Sequence, residues 1–175
     1  MAGYGGPADA GMLFIASYSP IIIAIVLVLL WLRWRRDTQR TSALAATAAL
    51  IALGVGQIIG KTFPRARPSD VIPAHLLIPH SLDTSFPSDH ATLAFAVAAV
   101  VFAWNRRWGS AMLVFAVLTA LARVWVGAHY PGDVIGGAVL GVIVASVIVA
   151  LAHTAVGERA INATLDLLHR FKVAA

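Results

Sequence analysis

The feature that most constrains this chain is a stretch without a single charge: GMLFIASYSPIIIAIVLVLLWL, from Gly11 to Leu32. A run of about 20 apolar residues crosses a hydrocarbon core roughly 30 Å thick, and only a helix satisfies its own backbone there. No basic region precedes it as a cleaved signal peptide requires, so it is expected to be a retained first span. Pro20 lies inside it. The carbonyl freed by the missing proline N–H must find a donor on a neighbouring helix or hydroxyl.

Four more apolar runs follow, at 41–60, 88–104, 110–126 and 131–153. Hydrophobic residues make up 59% of the 175 and charged residues only 12%, about half the charged share of a soluble domain. The expected fold is therefore all-α: a polytopic transmembrane bundle of about five spans in one domain, 1–175. Gly137 and Gly141 have the small-xxx-small spacing of closely packed membrane helices. Between the second and third spans, residues 61–87 hold five prolines and read as a long outer loop without continuous helix. A loop of that length is usually functional. The tail at 154–175 sets Ile161, Leu165, Leu168 and Phe171 against Arg159, Asn162, Asp166 and Arg170, the pattern of an interfacial helix.

The formal charge of +5 does not point to nucleic acid, because the basic residues sit between apolar runs rather than on one amphipathic face. They mark topology. Arg33, Arg35, Arg36, Arg40, Arg106, Arg107, Arg159, Arg170 and Lys172 fall on one side, and Lys61, Arg65, Arg67 and Arg123 on the other. The richer side is expected to be cytoplasmic, with the N-terminus outside and the C-terminus inside. Absence of cysteine excludes disulfides, thiolate metal sites and cysteine nucleophiles.

The four outer cations accompany KTFPRARP (61–68), SFPSDH (85–90) and ARVWVGAHYPGD (122–133), all at the outer ends of spans. Lys61, Arg67 and Arg123 offer donors suited to phosphate oxygens. Ser88 opens the third span, where a helix N-terminus favours an anion. His90 and His129 supply one group to attack and one to donate a proton. Asp133, four residues beyond His129, is expected to accept a hydrogen bond from its ring and fix the tautomer. Taken singly, each piece has an ordinary reading: a snorkelling Arg123, a structural His-Asp contact, and Ser88 or Asp89 as a helix cap. Together, on one membrane face of a charge-poor chain, they read as phosphoryl transfer through histidine.

At these residues the chain resembles the membrane branch of the type 2 phosphatidic acid phosphatase superfamily. Arg123, five residues, His129, three residues and Asp133 match that family's third motif, and Pro87-Ser88-Asp89-His90 its second with Asp in place of Gly. With LIPHSLDTSFPSDH and ARVWVGAHYP, the variant is similar to the bacitracin-resistance-type undecaprenyl-diphosphatases. Two departures stand out: five rather than six residues between Lys61 and Arg67, for which Arg65 could substitute, and Ala122 in place of Ser. The resemblance implies His129 as nucleophile oriented by Asp133, and His90 as acid to the departing lipid phosphate. Arg67, Arg123, Ser88 and Lys61 would hold the phosphate, and Asp89 would bear on selectivity. It implies neither cofactor nor metal; His75 and His80 read as loop residues. The implied reaction removes one phosphate from a polyprenyl diphosphate at the outer face of the cytoplasmic (inner) membrane, recycling the lipid carrier of cell-wall synthesis. A broader lipid phosphatase acting on phosphatidic acid or phosphatidylglycerophosphate, and a non-catalytic anion-binding membrane protein, stay open beside it. Oligomeric state is not legible.

Overall fold

The computed structural model describes residues 6–71 and 84–173, less the side chains of 69, 70 and 170–173. Among the described residues there are seven helices and no strand: α1 (Pro7–Leu32), α2 (Arg36–Thr62), α3 (Pro68–Val71), α4 (Asp89–Trp104), α5 (Arg106–Trp125), α6 (Pro131–Ala152) and α7 (Ala155–Val173). Four of them, α1, α2, α5 and α6, are long and apolar enough to cross a membrane. The remaining expected span, 88–104, forms α4, whose 16 residues rise only about 24 Å. It stands at the centre, in contact with α1, α2, α5 and α6.

Helix and apolar run coincide within a residue for α4 and α6, but at the starts of α1, α2 and α5 hydrogen bonding carries the helix past the length that hydropathy marks. α2 begins at Arg36 rather than residue 41 and keeps Lys61 in its last turn. The expected loop at 105–109 is reduced to one residue: Asn105 ends α4 and its side chain accepts the Trp108 N–H at 3.1 Å, so α5 starts at Arg106. One turn of helix, α3, interrupts the proline-rich segment, with Pro68 at its first position.

The packing is that of a membrane bundle. Its interior is mostly alanine, including Ala45, Ala48, Ala94, Ala98, Ala116 and Ala145 around Val97 and Val101. The large apolar side chains, such as Ile21, Leu29, Leu50, Val114, Ile135 and Ile143, face outward. Small residues let helices approach where no water drives burial. A Cβ on Gly141 would lie 2.5 Å from the Thr92 carbonyl oxygen, and one on Gly109 would lie 2.1 Å from Phe102 Cα. At one end of the bundle, α7 lies against α2 and α6, with Leu165 buried and an Arg36–Asp166 ion pair. At the other, residues 84–88 thread between α2 and α6. There Gly60 admits Thr84 and Phe86, Gly136 admits the Phe86 ring, and the Ser88 N–H donates to the Asp133 carbonyl at 3.0 Å.

Candidate active site

The segment carrying Arg123, His129 and Asp133 is one helix stopping and the next starting. Gly127 takes the left-handed conformation (φ 75°) just past α5. Its N–H donates to the Val124 carbonyl at 3.0 Å, and the Ala128 N–H to the Arg123 carbonyl at 3.1 Å, the paired bonds that close a helix C-terminus. His129 follows directly. Tyr130 caps α6, Pro131 opens it where no N–H is needed, and Asp133 Oδ2 accepts the Tyr130 N–H at 2.9 Å. The spacing of the three residues is thus fixed by two helix ends.

His129 is buried, and both ring nitrogens are engaged. Nδ1–H donates to the Ser85 carbonyl at 2.8 Å, while Nε2 faces Arg123 Nη2 at 3.5 Å. The two contacts require the same tautomer, with the proton on Nδ1 and a lone pair on Nε2. The expectation that Asp133 accepts the ring proton is corrected: its Oδ2 lies 3.9 Å from Nδ1, too far for that bond. The carboxylate instead accepts from Ser85 Oγ, the Tyr130 N–H and Arg65 Nη1, the last at 2.8 Å. It acts one bond further out, holding the serine whose carbonyl holds the ring. Burial first, then the charges of Arg123 and Arg67, lower the His129 pKa to about 3, against a smaller upward pull from the Ser85 bond.

Around Nε2 lies a cradle for an anion. Arg67 and Arg123 are only 8% and 7% exposed, and within electrostatic reach of each other. Arg123 donates from Nη1 to the Ala16 carbonyl of α1 at 3.3 Å, and its Nε has no partner among the described residues. Ser88 Oγ, fully buried at the N-terminus of α4, is also unpartnered among the described residues. Buried donors left open are costly, and a phosphate oxygen satisfies both kinds. His90, half-buried in the first turn of α4, lies within electrostatic reach of Arg123, His129 and Arg67. Its neighbour Asp89 accepts from Gln57 Nε2 at 2.9 Å.

The structure gathers Arg67, Ser88, Asp89, His90, Arg123, His129 and Asp133. It does not gather Lys61, which is exposed in the last turn of α2 and joins none of these contacts among the described residues. Arg65, the alternative for that role, is turned to Asp133 and stacks 4.2 Å over the Tyr130 ring. His75, His80 and Asp83 lie outside the described residues, as do the side chains of Asp70 and Phe171. Sequence reasoning assigned no role to Ser85 or to Ala16. Both meet the site through a backbone carbonyl, which every residue has and no residue type signals; only the Ser85 hydroxyl, donating to Asp133, carries a residue-specific signal.

A family model described as the PAP2 superfamily matches residues 41–156. Undecaprenyl-diphosphatase BcrC of Bacillus subtilis (strain 168) is 35% identical over 131 residues, 75% of this chain and 68% of the relative. Among solved structures, LpxE of Aquifex aeolicus superposes with a TM-score of 0.68 at 22% identity, covering 85% of this chain and 88% of that one. A transmembrane PAP2 type phosphatidylglycerolphosphate phosphatase from Bacillus subtilis superposes with a TM-score of 0.55 at 20% identity, covering 84% and 78%. These two likenesses concern the fold.

Proposed function

The chain belongs to the PAP2 superfamily, and from that premise we propose that it removes the terminal phosphate of a polyprenyl diphosphate, undecaprenyl diphosphate, through a phosphohistidine. One observation carries the mechanism: His129 holds its proton on Nδ1 against Ser85, which leaves the Nε2 lone pair directed at the arginine that would bind the phosphate. Nε2 attacks the terminal phosphorus as the bond to the bridging oxygen breaks. His90 gives that oxygen its proton, and the lipid monophosphate departs. Water then attacks the phosphohistidine, His90 takes back a proton, and inorganic phosphate leaves. Arg67, Arg123 and Ser88 Oγ hold the equatorial oxygens, where charge is concentrated in the transition state. Lys61, exposed at the end of α2, is kept as a further phosphate-binding candidate and Asp89 as a selectivity residue.

A lipid substrate is supported by a groove of about 520 Å³ between α5 and α6, lined by apolar residues including Val117, Leu121, Trp125, Val134 and Ile135. Val124 and Trp125, which line it, directly follow Arg123, so the groove runs along the helix end that carries the cradle's arginine. The cation distribution supports a site on the outer face of the cytoplasmic membrane. The test is purified protein in detergent given undecaprenyl diphosphate, phosphatidic acid and phosphatidylglycerophosphate in parallel. Phosphate release is expected to be fastest from the first, and His129→Ala to abolish it. Faster turnover of a glycerophospholipid would assign the broader lipid phosphatase. No release from any of the three would leave an anion-binding protein.

A further inference from the structure

The geometry points to α1 as a positioning element of the phosphate cradle, acting through Pro20. Proline at position 20 has no N–H, so the Ala16 carbonyl, four residues earlier, has no i+4 donor within its own helix. That carbonyl is the one that receives Arg123 Nη1, at 3.3 Å, across the α1–α5 contact. A carbonyl in hydrocarbon without a donor is costly, and so is a buried guanidinium without an acceptor; each here answers the other. The bond sets the azimuth of the guanidinium plane. Nη1 turns to α1, Nη2 faces His129 Nε2, and Nε is left without a partner among the described residues.

The rest of α1 is built to hold this register. Ala16 is fully buried against Ala122, Val126 and Ala128, small residues that bring the α1 backbone close to the end of α5. Asp9 near the start of α1 accepts from Trp125 Nε1 at 2.9 Å, a second tie two residues beyond Arg123. α1 ends at Leu32, before the family match at 41–156 begins, so this support comes from a helix outside the matched residues. Pro20 is therefore a positioning residue for Arg123 and touches no substrate.

The inference rests on Arg123 holding substrate phosphate, and a double-variant cycle separates the two claims. Pro20→Ala returns an N–H to Ala16, which then closes its helical bond and releases Arg123; Pro20→Leu does the same with more side-chain bulk. Each is expected to lower kcat/KM for undecaprenyl diphosphate about tenfold, the scale of one hydrogen bond to a charged group. Both keep the helix intact, since each adds a bond to α1. In an Arg123→Lys background the Pro20 substitution is expected to change kcat/KM by less than about twofold, because the group it positions is gone. Undiminished kcat/KM in both single variants, or the full loss persisting in the Arg123→Lys background, overturns the inference. A wild-type protein that releases no phosphate overturns the reading of the site instead.

Discussion

A histidine that attacks phosphorus must keep its attacking nitrogen bare, and His129, the proposed nucleophile, meets that demand by where its other nitrogen is held. The Ser85 carbonyl takes Nδ1–H, and burial beside Arg123 and Arg67 disfavours a second proton. Its pKa in the fold, about 3, lies below the ordinary 6.5. The neutral ring thus contributes stability in full above pH 6.5, and that contribution is lost as pH falls toward 3. In ligand-free protein labelled with 15N-histidine, His129 is expected to remain neutral at pH 5, with Nε2 unprotonated. A His129 signal titrating with a midpoint near 6.5 would contradict this. The sequence made the histidine, its arginine and its aspartate legible, because their spacing is that of two helix ends. It did not make Ser85 legible as the acceptor, since the chain must first fold 84–88 between α2 and α6. For the same reason Asp133 was expected one bond too close.

The helices were legible as apolar runs, and so were the end of α1 and both ends of α4 and α6, but not where α2 and α5 begin. Arg36 to Arg40 and Arg106 to Trp108 are polar or interfacial, yet they continue α2 and α5 because nothing in them breaks a helix. Glycine explains how closely these elements then meet. Gly137 stands where a Cβ would lie 2.6 Å from the Ser88 carbonyl oxygen, so α6 and the start of α4 share that space. Gly137→Ala is expected to cost about 2 kcal/mol by overpacking and to displace Ser88, with a lower Tm in detergent and reduced phosphate release. Gly54, whose Cβ position meets nothing within 4 Å, provides the contrast. Gly54→Ala should raise stability by about 0.5 kcal/mol, leaving turnover unchanged. Equal Tm shifts for the two variants would mean that the close approach of α6 to α4 is not what the glycine serves.

Taken as a whole, the molecule divides its few charges between two ends of an apolar bundle. One end holds the cradle; the other gathers Arg36, Arg40 and α7, with Arg36 paired to Asp166, Arg40 Nη2 donating to the Ala152 carbonyl at 2.9 Å, and His169 stacked on Trp34. On the proposed reaction the cradle's cations serve an anion, so only those at the far end are free to act as a topology signal, and they outnumber the others. That asymmetry makes an outward-facing cradle the expectation, and a labelling experiment tests it. The chain contains no cysteine, so a single introduced thiol reports its own side of the membrane. Thr62→Cys, exposed after Lys61 at the cradle end, should react with a membrane-impermeant maleimide in intact cells. Arg107→Cys, exposed at the opposite end, should react only after permeabilisation. The reverse pattern would place the cradle on the cytoplasmic face, where the polyprenyl diphosphate would have to be presented from inside and the carrier-recycling role at the outer surface would fall.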